Sequence, residues 1–133
     1  MTEHDLDLLC EDWAHWCRTR KYFAPPVPAN ILAKMQPRSS AAREPDGPMS
    51  ADIAYFNMAL QRIAEDCPES AACFSLFYYY RAKNIKALAA DLGISRKTFY
   101  NRMHAFARLA LKWAPAVKRV HLEHSKIEEM IAD

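Results

Sequence analysis

The sequence predicts an all-α, compact helical domain of about five helices, with one helix-turn-helix and one Pro-rich intervening segment. Apolar residues recur at spacings of three and four along most of the chain, which is the period of an amphipathic helix. Only two of the 133 residues are glycine, too few for the turns of a hairpin-dense β fold. The composition, 51% hydrophobic and 26% charged, is that of an ordinary soluble protein and predicts a single domain over residues 1–133.

The chain begins with a predicted amphipathic helix, followed by a Pro-rich linker. Residues 1–21 hold the helix, with Leu6 and Trp13 on its apolar face. Residues 22–49 contain six of the eight prolines, which disfavour a long helix, so we expect a linker with one helical turn at 30–36. The acidic start is unlike the basic region of a signal peptide, and no apolar run approaches the roughly 20 residues of a membrane span. We therefore expect a cytoplasmic protein with no membrane partner.

A helical core is predicted over residues 50–114. Ser50 opens a helix that ends near Asp66, with apolar residues at alternating steps of three and four. Pro68 suits the first turn of the next helix. The run at 73–80 is apolar on all sides, which is typical of a central core helix rather than of a base-stacking surface.

A helix-turn-helix is predicted over residues 84–114. Asn84 caps a short helix that ends at Gly93, and this glycine supplies the positive φ that the turn requires. Ser95 caps a longer second helix, and Pro115 is expected to stop it. Small and apolar residues occupy the positions where the two helices would meet each other or the core: Leu88, Ala89, Leu92, Ile94, Phe99, Met103, Phe106 and Ala110.

The last segment, residues 115–133, is predicted to be a separate C-terminal helix or tail. Its residues Val117, Val120, His124 and Ile127 follow a near-heptad rhythm that continues to Ile131.

The net charge of +2 conceals a strongly basic segment. Residues 81–119 hold ten Lys and Arg against a single acid, Asp91, which is a local charge of +9. Residues 1–17 carry −5 and residues 120–133 carry −3. Such asymmetry is typical of a nucleic-acid-binding element, although a solvated basic helix face would account for the charge alone equally well.

The exposed face of the second motif helix is the predicted surface for double-stranded DNA. The N-terminal residues of such a helix meet base edges in the major groove, where Arg or Lys pairs with guanine and Asn with adenine. Hydroxyl groups at the helix start contact phosphates, and nearby cations add salt-sensitive affinity. The predicted contacts are Ser95, Arg96, Lys97, Thr98, Tyr100, Asn101, Arg102, His104, Lys83 and Lys86, with Arg108 on the flank of this face and non-specific support from Lys112, Lys118 and Arg119. The alternative is a helix-turn-helix that only packs or binds protein.

No constellation indicates catalysis, metal binding or a cofactor. The four cysteines lack the close pairing of a zinc site and are expected to be small buried residues. His121, His124 and Glu128 could share a helix face, but no further ligands accompany them. Because no nucleophile–base pair or carboxylate pair stands out, we expect a protein that is not an enzyme and needs no cofactor.

Two stretches together resemble a known family. The first is DWAHW at residues 12–16; the second is LFYYY at residues 76–80, followed by the helix-turn-helix with SRKTFYNRM at residues 95–103. This combination resembles the antitermination protein Q family of lambdoid phages, whose C-terminal part is similar to region 4 of bacterial sigma factors. The resemblance covers residues 8–20 and 50–112. The close Cys pairs of zinc-binding Q proteins are absent here, which favours a zinc-free subgroup.

The resemblance implies a phage late-gene transcription antiterminator in the cytoplasm of a bacterial host. Q proteins bind DNA near the late promoter, load onto sigma-paused RNA polymerase and suppress downstream terminators, with nascent RNA at the exit channel as a further implied contact. The DNA contacts carried over by position are Arg96, Lys97, Tyr100, Asn101 and His104. The segment 22–48 and the C-terminal tail are the candidates for polymerase contact, because each is long and lacks an evident core role.

Two alternatives stay open. The first is a helix-turn-helix repressor or activator that binds an operator as a dimer through the apolar stripe at 117–131. The second is an interaction protein that binds sigma factor or polymerase and uses the helix-turn-helix only as a scaffold. The sequence leaves the oligomeric state open, including two copies on DNA.

Overall fold

The computed structural model describes residues 2–37 and 51–131, and for Ala51 the backbone alone. Over these ranges the chain contains helices and no strand, which confirms the predicted all-α class. The described ranges contain six α-helices rather than about five, because the helical turn predicted in the linker is a short helix of its own. In chain order they are α1 (Glu3–Thr19), α2 (Ala29–Lys34), α3 (Ala51–Asp66), α4 (Pro68–Phe74), α5 (Ile85–Asp91) and α6 (Arg96–Ile131).

The start of α1 is secured by a reciprocal cap. The Asp5 amide donates to Oγ1 of Thr2 at 3.1 Å, and the Thr2 amide donates to Oδ2 of Asp5 at 3.2 Å. These two bonds satisfy amides that have no partner within the helix. They also hold the Asp5 carboxylate in its charged form, which lowers its pKa below the ordinary value.

An aromatic cluster joins the helices in the core. The ring centroid of Phe74 on α4 lies 5.0 Å from that of Trp13 on α1 and 5.1 Å from that of Phe106 on α6. The buried indole of Trp13 donates its Nε1 hydrogen to Oδ1 of Asn57 on α3 at 3.0 Å. Residues of four helices therefore meet in this cluster. The polar atom of its three rings, the indole nitrogen of Trp13, is hydrogen-bonded.

The predicted central helix continues from α4 into a π-helical segment, Ser75–Tyr79. Its wider turn closes with the Tyr80 amide donating to the Ser75 carbonyl at 2.9 Å. The Ser75 hydroxyl is buried and donates to the carbonyl of Pro25 at 2.8 Å. The Arg18 guanidinium donates to the carbonyls of Tyr78 and Tyr79 at 3.2 and 3.3 Å. The sequence did not predict this change of helical period.

The tyrosines of this segment belong to the core, as expected. The Tyr78 ring is buried and its hydroxyl donates to Oδ1 of Asp7 at 2.7 Å. Burial and the neighbouring acid raise the pKa of Tyr78 above its ordinary value. The Tyr79 hydroxyl donates to the Tyr22 carbonyl at 3.1 Å.

The prediction that Pro115 stops the second motif helix is wrong. Helix α6 runs without a break from Arg96 to Ile131 and includes Pro115 in its interior. Contacts beyond the proline hold the helix on α3: the Lys118 ammonium lies 3.5 Å from a carboxylate oxygen of Asp52, and His121 packs edge-on against Tyr55 at 5.6 Å. A proline costs a helix about 3 kcal/mol, and packing on both sides of it offsets that cost.

Part of the predicted linker lies outside the described residues, as does the predicted cap Ser50. Where the structure does describe the Pro-rich segment, α2 confirms the expected helical turn. Among the described helices, none is long and apolar enough to cross a membrane.

Candidate nucleic-acid interface

Helix α5, a four-residue turn and the start of α6 form the predicted helix-turn-helix. The amide of Gly93 donates to the Ala90 carbonyl at 3.0 Å, and the amide of Ile94 donates to the Ala89 carbonyl at 2.9 Å. Gly93 has φ +75°, the left-handed conformation that a turn of this kind requires. A Cβ placed on Gly93 would meet no atom within 4 Å, so backbone conformation rather than space favours glycine there.

Both motif helices have the predicted caps. Oδ1 of Asn84 accepts from the Ala87 amide at 3.1 Å at the start of α5. Oγ of Ser95 accepts from the Thr98 amide at 3.0 Å at the start of α6, and the Ser95 hydroxyl donates to Oγ1 of Thr98 at 2.9 Å. The caps define where each helix begins and therefore which side chains lie at the first turn of α6.

The inner faces of the motif are covered by the core. Leu88 and Ala89 of α5 are buried, while Leu92 and Ile94 in and beside the turn are half-buried. On α6 the predicted core residues Phe99, Met103, Phe106 and Ala110 are all buried. The motif is thus held against α3 and α4 by the residues that the sequence assigned to this role.

The start of α6 and the flanking end of α5 present a cationic surface. Arg96, Lys97 and Asn101 are exposed on α6, and Lys83 and Lys86 are exposed before and on α5. Within the ranges that the structure describes, the four cations of this set form no ion pair. We call these five residues the basic face. Free cations at a helix start, where the backbone dipole is positive, create a local field that attracts anions.

Arg102 is separated from the basic face. Its guanidinium lies 3.5 Å from a carboxylate oxygen of Glu69 on α4. Arg102 also lines an open groove of about 580 Å³ next to the motif turn, between Pro26 and Ile94. The ion pair holds Arg102 on the α4 side of the helix.

Tyr100 and His104 are half-buried rather than fully presented to solvent. The Tyr100 ring packs edge-on against Phe77 and Phe99, with centroids 5.9 Å away in both cases. Its hydroxyphenyl group therefore helps to fix the helix on the core. Ser95 and Thr98 use part of their hydrogen-bonding capacity in the cap, as described above.

Acidic residues from other helices neutralise part of the more distant basic surface. Arg108 pairs with Glu3 of α1 at 2.9 Å, and Lys118 pairs with Asp52 of α3 at 3.5 Å. The Lys118 ammonium also lies 5.9 Å from the centroid of the Tyr55 ring. Lys112 and Arg119 are exposed. Charge counting along the sequence did not reveal these pairings, because each joins residues more than sixty positions apart.

The cysteines have the environment of structural thiols. Cys10, Cys17 and Cys73 are buried and Cys67 is half-buried. Burial raises the pKa of Cys17 to about 12 and that of Cys73 to about 11, which keeps both protonated at neutral pH. In the described part of the chain, no three His, Cys, Asp or Glu residues are placed to hold a metal ion.

In comparisons with known proteins, no family model, curated protein sequence or solved structure matches this chain.

Proposed function

We propose that this chain is a DNA-binding transcription regulator that reads double-stranded DNA through its helix-turn-helix. The observation that carries the proposal is the basic face: cations without ion pairs in the described structure, at the first turns of a capped, core-supported helix. An exposed helix start with Arg, Lys and Asn suits insertion into the major groove. The pairing of Arg102 with Glu69 suggests that Arg102 contributes less to DNA contact than Arg96 and Lys97.

The basic face combines two kinds of contact. Arg96, Lys97 and Asn101 project from the helix start, where base edges would be read. Lys83 and Lys86 flank it, where phosphates of the same duplex would pass. The neutralised Arg108 and Lys118 limit the surface that DNA would cover, so binding centres on the start of α6.

The more specific proposal rests on the resemblance to antitermination protein Q. In that role the chain binds DNA near a late promoter, joins sigma-paused RNA polymerase and suppresses terminators downstream. A protein bound at the RNA exit channel would raise the free energy of a terminator hairpin by narrowing the space in which it folds, and nascent RNA would pass close to its cations.

DNA recognition is tested by selecting duplexes from a random library and measuring their affinity by fluorescence anisotropy at several salt concentrations. The variant Arg96→Ala with Lys97→Ala is expected to bind selected duplexes roughly 10- to 100-fold more weakly. Loss of a phosphate contact, as in Lys86→Ala, would instead reduce the salt slope by about 0.9. The matched control is Lys21→Ala with Lys126→Ala, which removes two exposed cations outside α5 and the first half of α6 and should bind like the parent protein.

Absence of any enriched duplex, or equal affinity of the Arg96/Lys97 variant and the parent, would contradict the DNA-binding proposal. Unchanged affinity in that variant would favour the alternative of an interaction protein that uses the motif as a scaffold. Circular dichroism of each variant establishes that the helices are intact.

Antitermination is tested by transcription in vitro with purified RNA polymerase and sigma factor on templates that end in an intrinsic terminator. The expected result is read-through only when the template carries the selected DNA site upstream. Equal read-through on a template without the site would count against the role.

A dimeric repressor or activator is the second candidate, favoured by the exposed apolar stripe on the second half of α6. Such a protein would shift a selected duplex as a dimer without polymerase. Sedimentation of the protein–DNA complex, with and without polymerase, distinguishes the two candidates.

A further inference from the structure

The second half of α6 carries an apolar stripe that the other described residues leave largely uncovered. Its positions follow one another at steps of four, three, four, three and four: Trp113, Val117, Val120, His124, Ile127 and Ile131. This is the heptad spacing of a coiled-coil seam, and it starts before Pro115 and continues past it. Relative exposures are 50% at Trp113, 66% at Val120, 54% at Ile127 and 76% at Ile131.

We infer that a second copy of this chain covers the stripe, in an antiparallel helix pair. When residue 122 of each copy lies at the centre of an antiparallel pair, each of the six stripe residues faces a stripe residue of the other copy. Ile131 of one copy then faces Trp113 of the other, Ile127 faces Val117, and His124 faces Val120. The pair would form without DNA and without polymerase, and of the proposed functions the dimeric repressor or activator rests on the same stripe.

An apolar groove extends the stripe onto the body of the protein. The groove lies between α3 and α6, holds about 300 Å³, and is lined by Ile63, Cys67, Leu109, Trp113 and Val117 among others. Trp113 and Val117 belong to both the groove and the stripe. The antiparallel register therefore brings the exposed C-terminal end of each α6, with Ile127 and Ile131, to the groove of the other copy.

Charge selects the antiparallel direction. From Arg102 to Arg119, α6 has five Lys and Arg and no acid, whereas residues 120–131 have three Glu against Lys126 alone. An antiparallel pair places each acidic end beside the basic half of the other helix. A parallel pair would instead place Glu123 of each helix beside Glu128 of the other, at the flanking positions where like charges repel. The antiparallel pair has a single such contact, between the two Glu123 side chains at its centre.

The basic face stays open in this pair. Lys97 and Asn101 project on the opposite side of α6 from the stripe, because successive helical residues are turned by about 100°. Two copies joined through their C-terminal halves would present two helix-turn-helix motifs together.

Association is tested by analytical ultracentrifugation of the full chain up to roughly 100 µM, a concentration at which complexes with Kd values of about 1 µM are largely formed. We expect a dimer rather than the 15.3 kDa single chain. Ile127→Glu should raise Kd roughly 100-fold, because it places a charge in the apolar seam. The matched control Leu122→Glu adds the same charge on the opposite side of the same exposed helix, and should change Kd by less than about threefold.

A single-chain mass for the parent protein throughout this range would overturn the inference. Equal effects of Ile127→Glu and Leu122→Glu would also overturn it, since the stripe would then not be the contact. Both positions are exposed in the single chain, and equal helix content by circular dichroism confirms that both variants fold.

The direction of the pair is tested with Glu128→Lys. In the antiparallel pair this change places a cation beside the basic half of the other copy, so Kd should rise. In a parallel pair it would replace the repulsion between Glu123 and Glu128 by attraction, so Kd would fall. A tighter or unchanged dimer would overturn the antiparallel arrangement.

Discussion

The two halves of α6 have similar apolar periodicity and opposite surroundings. From Arg96 to Ala114 the helix is packed against α3 and α4, and Phe99, Met103 and Phe106 are buried. From Pro115 to Ile131 all large apolar residues except Val117 are exposed. The first half is basic and the second is acidic over its last twelve described residues. One helix thus combines a core element with an arm that projects from the core.

In both halves, apolar spacing predicts a helix and its apolar face, but it does not identify what covers that face. In the first half the cover comes from other helices of the same chain. In the second half the same spacing continues beyond Val117, where no described part of the chain buries the large apolar side chains. The heptad spacing and the charge distribution of α6 favour a second copy of the chain as the partner that covers the stripe.

The largest expected difference between the halves concerns stability. Met103 is 1% exposed and Met130 is 78% exposed on the same helix, so they form a matched pair. Met103→Ala should lower the free energy of unfolding by about 2–5 kcal/mol, because it leaves a cavity in the core. Met130→Ala should change it by less than about 0.5 kcal/mol. Urea unfolding of dilute protein measures both values, and equal losses would break the distinction between core half and arm.

A smaller effect is expected at the junction of the halves. Proline lacks the amide hydrogen that would bond the Leu111 carbonyl, and Pro115 is exposed, so Pro115→Ala removes little packing. The arm should gain up to about 3 kcal/mol of local helix stability. Hydrogen exchange of the amides at 116–131 measures that gain. Unchanged protection would mean that Pro115 costs this helix little stability.

The smallest effect is expected at the start of the core half. Gly93→Ala should cost about 1–2 kcal/mol, because an L-residue is strained at φ +75° even where its side chain has space. The control Ala90→Gly tests helix propensity in α5 without changing the turn, at a cost of up to about 1 kcal/mol. Thermal unfolding compares the two variants. A Gly93→Ala protein as stable as its parent would show that the turn tolerates another conformation.

Interactions between residues close in sequence were sufficient to predict most of the helix-turn-helix. Asn84 and Ser95 cap their helices through bonds to amides three residues away, and Gly93 acts within one turn. Because these interactions are local, residue type and spacing predict them. The inner and outer faces of α5 and early α6 follow from the same periodicity.

The errors and omissions come from interactions between distant residues. Nothing near Pro115 in the sequence indicates that Asp52 and Tyr55 of α3 hold the helix beyond it. Likewise, the pairing of Arg102 with Glu69 depends on how α4 crosses α6. The π-helical turn at Ser75–Tyr79 accompanies bonds to Pro25 and Arg18, which sequence spacing does not connect to it.

The sequence by itself determined the helical class, the caps and turn of the motif, and that Arg96, Lys97 and Asn101 of early α6 face outward. Tertiary structure alone decided which outward cations have an ion pair among the described residues and which have none, and it decided that α6 continues as an arm. The physical reason is the distance along the sequence over which each interaction acts. Periodicity and capping act within one or two helical turns, whereas ion pairs and burial depend on which helices meet in space.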